Sequence, residues 1–215
     1  DITLPEETER YIKQKEEEGK TALLLSHDNI ICGVICVADI IREGSIEAIN
    51  SLKNLGFDEP IMLTGDNPRT ANAIALSLGI KNVKAQLLPE DKLNVIKELE
   101  SSGRKVLMVG DGINDAPALA QAHVGIAMGA VGSDAAIEAS DVALMRDEWK
   151  QIPEAVTIGR KTFSIIKQNL AVGIIFNLVG ITLASTGILS PAMAAVAHVM
   201  PDVIVFLNSS RLLKG

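Results

Sequence analysis

Val109-Gly110-Asp111-Gly112-Ile113-Asn114-Asp115-Ala116-Pro117-Ala118-Leu119 closes a short apolar run, Lys105 to Val109, and places two carboxylates four positions apart. An apolar run that ends in Gly-Asp-Gly predicts a buried strand breaking into a turn that glycine permits. Such a turn delivers Asp111 and Asp115 to one place at the strand's carboxyl end, where open α/β sheets bind ligands. Mg²⁺ takes one or two carboxylates and leaves its other positions to water and phosphate oxygens, so the pair fits magnesium-assisted phosphoryl transfer. The competing reading is a surface turn with solvated acids, because short motifs recur by chance.

Two upstream elements favour the first reading. Pro60-Ile61-Met62-Leu63 is a second apolar run, and it ends in Thr64-Gly65-Asp66-Asn67 with Pro68 where a helix would start. A hydroxyl and free N–H groups facing a helix N-terminus make an anion-binding corner. Between the two runs, Leu88-Pro89-Glu90-Asp91-Lys92 predicts a helix start whose lysine can neutralise phosphate charge.

With TGDN at 64 to 67, PEDK at 89 to 92 and VGDGINDAPALA at 109 to 120, the sequence resembles the phosphorylation domain of P-type cation-transporting ATPases, a branch of the haloacid-dehalogenase fold. The motifs come in family order and the resemblance extends over essentially the whole chain. It implies that Thr64, Gly65 and Asp66 help hold the phosphoryl group and that Lys92 contacts it. Asp111 and Asp115 would serve Mg²⁺, and Asn114 would complete the site by hydrogen bonding. Asp39 and Arg42 match the family's Asp-x-x-Arg element near the nucleotide hinge, which makes ATP the implied cosubstrate.

One departure bears on activity. The family's nucleophile is the aspartate of Asp-Lys-Thr-Gly-Thr, and that motif is absent; Asp1 is followed by Ile2-Thr3-Leu4. No His-Pro pair for the adenine pocket occurs either, since His27, His123 and His198 precede Asp28, Val124 and Val199. Covalent phosphoryl transfer needs a carboxylate placed to attack. The chain is therefore expected to be the C-terminal portion of a larger pump whose missing N-terminal part carries the nucleophile, and to be inactive alone. Two other readings are a haloacid-dehalogenase-type phosphatase, which would need its own Asp-x-Asp or Asp-x-Thr on an early strand, and a non-catalytic Mg²⁺-binding regulatory domain.

The remaining features set the organisation. A formal charge of -7 over 215 residues argues against nucleic-acid binding. Cys32 and Cys36 share one face of a strand-like run, spaced one residue too far for Cys-x-x-Cys and flanked by Val and Ile, which suggests core packing. The charged N-terminus, with Pro5, Glu6, Glu7 and Glu9, reads as a helix start and not as a secretory signal. Between them, runs of apolar and helical pattern alternate, predicting an α/β fold: a mostly parallel sheet with helices on both faces, of haloacid-dehalogenase type by resemblance, followed by a two-helix transmembrane hairpin. The expected division is 1–35 as the end of a nucleotide-binding insertion, 36–150 as the phosphorylation domain, and 151–215 as a connector helix with two membrane helices.

Gln168 to Pro201 contains no Asp, Glu, Lys or Arg, an interval suited to two spans broken near Thr186-Gly187-Ile188-Leu189-Ser190-Pro191. Arg160, Lys161 and Lys167 precede it and Arg211 and Lys214 follow, so the positive-inside rule predicts a multi-pass protein with its catalytic domain in the cytoplasm. Ile152 to Lys167 reads as a connector, either a stiff rod or a tether. His198 and Asp202 lie four apart around Pro201, on one helix face, and ionisable groups in a span are expensive unless functional. Imidazole with carboxylate suits divalent Zn, Co, Ni, Mn or Cd better than Cu(I).

Two spans after the phosphorylation domain, and the ending Asn208-Ser209-Ser210-Arg211-Leu212, resemble the heavy-metal (type IB) branch. Phe176-Asn177 is similar to that branch's copper-class Tyr-Asn, which adds Asn177 to the residues expected to meet the transported ion, while His-x-x-Pro-Asp matches no metal class.

Overall fold

Pro5 fixes the first turn of helix α1 (Glu6–Glu17), whose leading acids and trailing Lys15 both suit the helix dipole. A computed structural model describes residues 4–214 other than 29, 39, 113, 130–133 and 189, and leaves out the side chains of 191, 192, 194–196, 198 and 214. Gly19, at φ +78°, reverses the chain into strand β1 (Lys20–His27), which pairs antiparallel with β2 (Ile30–Ala38). The expected boundary at residue 35 falls inside β2.

The alternation then follows the predicted order. Helix α2 (Ser45–Asn54) leads to β3 (Ile61–Leu63), α3 (Pro68–Ser77), β4 (Asn82–Lys84) and α4 (Pro89–Ser101). Next come β5 (Leu107–Gly110), α5 (Ala116–Gln121), β6 (Val124–Met128), α6 (Asp134–Ala139) and β7 (Val142–Leu144). Helix α6 was not predicted; it is six residues long and too short to announce a period.

The strands after the hairpin are parallel, as expected, but they form two hydrogen-bonded sheets instead of one: β3 with β4, and β5-β6-β7. The physical reason is that a sheet extends only through edge-to-edge hydrogen bonds between strands. Each strand end needs a partner on both sides to continue a sheet, and among the described residues β3 pairs only with β4 and β5 only with β6.

Core packing joins the two sheets all the same. Ile96 of α4, Met108 of β5, Leu119 of α5, Ala127 of β6 and Ala136 of α6 form one buried cluster, and Leu63 of β3 packs against it. Burying Ile96 and Leu119 contributes roughly 2 kcal/mol each. A second cluster, Ile126, Met128 and Ile152, is covered by Leu107, Val109 and Trp149.

The chain divides into two units, Asp1–Pro153 and Glu154–Gly215. The second holds most of α7 (Gln151–Ser185), then α8 (Pro191–Ser209) and a 3-10 turn (Ser210–Lys214). The expected connector and first span are thus one unbroken helix of 35 residues. Two helices were expected to span a membrane; among the described residues only α7 is long and apolar enough to do so. Helix α8 has 19 residues, and the side chains of 191, 192, 194–196 and 198 on it lie outside the described ones.

Candidate functional site

Three sequence elements meet at the strand ends of the first unit. Thr64 follows β3, and its backbone is pinned to the neighbouring strand: its N–H donates to the Lys84 carbonyl at 3.0 Å and its carbonyl accepts from Leu87 N–H at 3.0 Å. The Thr64 hydroxyl donates to Asp66 Oδ2 at 2.6 Å and accepts from the Asp66 N–H at 3.1 Å. This closed turn presents Gly65 to solvent. Asn67 is structural: its Oδ1 caps α3 by accepting from the N–H groups of Arg69 and Thr70 at 3.0 Å each.

Helix α4 starts on Pro89, and Asp91 Oδ2 accepts from the Leu88 N–H at 3.0 Å, so Lys92 is set in the first turn. Its Nζ donates to Asp115 Oδ1 at 2.6 Å, with the two side chains 14% and 15% exposed. Asp115 occupies the position before α5, yet its carboxylate caps nothing. It is spent on Lys92 instead, so two elements 23 residues apart share one polar contact.

The Gly-Asp-Gly loop is shaped around that contact. A Cβ at Gly110 would lie 2.7 Å from Asp115 Oδ2, and one at Gly112 would lie 2.2 Å from the Ala136 Cβ. Gly112 also has φ +78°, so the loop needs glycine on both counts. Asp111 and Asn114 are exposed on its rim, beside Asp115.

The donor set suits Mg²⁺. Among the described residues no group of three or more His, Cys, Asp or Glu is placed to hold a metal. Mg²⁺ does not need one: a pair of carboxylates, one exposed and one already held by a lysine that also suits a phosphate, meets its preference for few protein ligands.

The other expected residues fall differently. Asp39 lies outside the described residues. Arg42 forms an ion pair with Asp147, which the sequence did not single out. In the second unit Asn177 and Asp202 are exposed on α7 and α8 and make no hydrogen bond or ion pair among the described residues, and the side chain of His198 is outside them.

What the sequence reading missed there is a polar link between the helices. Asn169 Nδ2 donates to Ser209 Oγ at 2.9 Å, and Asn208 Nδ2 donates to Asn169 Oδ1 at 2.9 Å. Arg211 donates to Asn208 Oδ1 at 3.1 Å. The available signal was the position of Asn169 and Asn208 near the two outer ends of the apolar interval.

Around α1, Glu18 accepts from Lys20 Nζ at 2.7 Å and from Lys15 Nζ at 2.9 Å. Those two hydrogen bonds, Lys20 first, hold its carboxyl down to about 2.

Comparison with known proteins adds the following. The profile of the haloacid dehalogenase-like hydrolases matches residues 3–123. The chain is 44% identical over 206 residues to the cadmium-transporting ATPase of Staphylococcus aureus, covering 96% of this chain and 28% of that one. It is 46% identical over 203 residues to the copper-exporting P-type ATPase of Bacillus subtilis (strain 168), covering 94% of this chain and 25% of that one. The crystal structure of a zinc-transporting PIB-type ATPase in the E2.Pi state superposes with a TM-score of 0.82 at 36% identity, covering 97% of this chain and 34% of that chain. The chain thus spans less than a third of the curated relatives it matches.

Proposed function

The chain belongs to the haloacid dehalogenase-like hydrolases, and from that premise we propose that it is the part of a P-type heavy-metal-transporting ATPase that binds Mg²⁺ and the phosphoryl group. The observation that carries this reading is the Lys92–Asp115 contact at 2.6 Å, because it joins the PEDK and GDGIND elements at one strand end. The similarity to cadmium, copper and zinc ATPases over nearly the whole chain supports the same conclusion.

The chemistry divides between residues. Asp111 and Asp115 would hold Mg²⁺, which when bound neutralises developing charge on a transferring phosphoryl group. Lys92 sets its ammonium beside the same carboxylate, so phosphate and Asp115 compete for one cation. The Thr64 hydroxyl, held by Asp66 in this structure, would turn to an anionic oxygen of the phosphoryl group, and Asn114 would add an amide. Arg42 follows the β1–β2 hairpin, which we read as the end of a nucleotide-binding region that delivers ATP, with Asp39 of the same Asp-x-x-Arg element beside it in sequence.

The attacking carboxylate would be that of an Asp-Lys-Thr-Gly-Thr motif, which these 215 residues do not contain. Among the described residues β3 and β5 each have one unpaired edge, which supports that arrangement: a strand inserted between them would complete a six-stranded parallel sheet and bring its carboxyl end beside Thr64 and Asp111. The aspartyl-phosphate would form there.

Helices α7 and α8 would be membrane spans. Almost none of the apolar stretch of α7 is buried, unlike the core helix of a soluble protein. Flanking Arg160, Lys161, Lys167 and Arg211 support a cytoplasmic catalytic unit in a multi-pass protein. Asn177, His198 and Asp202 are the residues for the cargo, a divalent ion of the Zn, Co, Ni, Mn or Cd kind.

The test is reconstitution. The chain is joined to, or co-expressed with, the missing Asp-Lys-Thr-Gly-Thr segment and labelled with radioactive ATP. An acid-stable phosphoenzyme that needs Mg²⁺ and is lost in Asp111→Asn is expected; labelling at full magnesium dependence in Asp111→Asn would refute the assignment. A screen of divalent ions for stimulated turnover then identifies the cargo.

A further inference from the structure

Bases outnumber acids in the second unit, and they gather at one end of it. From Glu154 to Gly215 it carries Arg160, Lys161, Lys167, Arg211 and Lys214 against Glu154 and Asp202 alone. All five bases lie outside the uncharged interval from Gln168 to Pro201. Neither acid is near enough along its helix to neutralise them: Glu154 precedes Lys167 by about 20 Å of α7, and Asp202 precedes Asn208 by about 9 Å of α8. Among the described residues Lys161, Lys167 and Arg211 form no ion pair with a carboxylate.

The amide link fixes where two of these cations stand. Asn208 Nδ2 donates to Gln168 Oε1 at 3.2 Å and to Asn169 Oδ1 at 2.9 Å, which seats the end of α8 beside the residue that follows Lys167. Asn208 Oδ1 accepts from Arg211 Nη1 at 3.1 Å. That bond uses one donor of the guanidinium fork and leaves its others to a partner outside the described residues.

Lys167 is directed as well. Its Nζ lies 4.6 Å from the centre of the Phe163 ring, so the side chain runs back toward the start of α7 and carries its charge away from the apolar interval. Leu170, one turn deeper on the same helix face and 63% exposed, continues the surface as hydrocarbon. A cation pair at the rim and an open apolar face beneath it match one molecule in both parts: a phosphodiester headgroup that carries acyl chains. A free phosphate would use the rim alone.

We infer that Lys167 and Arg211 hold the phosphodiester of an anionic phospholipid, of the phosphatidylglycerol kind, at the end where α7 and α8 are linked. Asn208 is the positioning residue for Arg211. The site rests on the reading of α7 and α8 as membrane spans given above.

Lipid titration tests it on the 215-residue chain in detergent, followed by native mass spectrometry. A cation at a membrane surface changes the affinity for anionic lipid about fivefold, so phosphatidylglycerol should bind on the order of 25-fold more tightly than phosphatidylcholine. Lys167→Gln and Arg211→Gln should each lower that preference to about fivefold, and together abolish it, while Lys167→Arg keeps it. Lys97→Gln with Arg104→Gln, which removes two exposed charges from the first unit, should leave it unchanged. Equal binding of the two lipids overturns the site. So does a preference that survives the Lys167, Arg211 double substitution, or one that the Lys97, Arg104 control abolishes as fully. Displacement of phosphatidylglycerol by millimolar inorganic phosphate would assign the cations to a soluble anion and overturn the lipid.

Flotation separates the site from the reading beneath it. The chain should float with vesicles of phosphatidylcholine alone and with vesicles that also contain phosphatidylglycerol. Flotation with neither refutes the membrane spans, and the lipid site falls with them; flotation with both, and no preference in the titration, refutes the lipid site alone.

Discussion

Lys92–Asp115 and Asn169–Asn208 are both polar links between helices, but they differ in kind. The first is a charged pair at a strand end, 14% and 15% exposed, beside an exposed second carboxylate. The second is a pair of neutral amides at 2.9 Å within the unit that contains the long apolar helix. Charges can be kept where water and an incoming ion or phosphate share the cost of desolvation. In the second link the amides satisfy each other, and Asn208 Oδ1 also accepts from Arg211, with no carboxylate in the contact. The first region is built around a site, and the second around helix contact.

Glycine substitutions give the largest contrast. Gly112→Ala brings a Cβ to 2.2 Å from Ala136 at a positive φ, so it should cost about 3 kcal/mol or more in urea unfolding. Gly173→Ala in α7 meets nothing within 4 Å and should be neutral or stabilising by up to about 1 kcal/mol. Equal effects would erase the distinction between a packed site loop and an open helix face.

Asp115→Asn comes next. It removes a charge from both Mg²⁺ and Lys92, and phosphoenzyme formation in the reconstituted protein should fall on the order of 10²-fold, about 2.7 kcal/mol. Labelling within twofold of the original would mean that the 2.6 Å contact is only structural.

The amide link should be worth less. A double-mutant cycle with Asn169→Ala and Asn208→Ala should return a coupling of about 0.6 to 1 kcal/mol in detergent unfolding. A coupling several times larger would place the amides in a site of their own, and so break the comparison.

The smallest effect is a pH shift at Glu18. Its folded carboxyl is held at about 2, below the ordinary value of 4.5, so the stabilisation it brings is complete above pH 4.5 and is lost as pH falls toward 2. Glu18→Gln should flatten acid unfolding of the α1–β1 junction across that window, as followed by hydrogen exchange of the β1 amides. Unchanged acid behaviour would remove the Lys20 and Lys15 contacts as its cause.

Local chemistry was the legible part of this sequence. Pro68 and Pro89 announced helix starts, and the runs before Thr64 and Asp111 announced strands, because these signals depend on neighbours in the chain. Lys92 and Asp115 were expected at one site through a resemblance; their direct bond was not read from spacing. The split of the parallel strands into two sheets was not legible, because strand pairing is decided across the fold and not within a run. Arg42 and Asp147 had no sequence signal at all: two charged residues 105 positions apart look like solvated surface until the fold brings them together. Helix α7 shows the same limit, since its charged and apolar halves read as separate pieces and are one helix.

Among the described residues β3 and β5 each leave one edge unpaired, which bears on how this polypeptide should behave in a test tube. An unpaired edge is a template for any extended segment, including one from a neighbouring copy. Concentrated preparations of these 215 residues alone should cross-pair and precipitate, and a short peptide able to occupy the slot should keep them in solution.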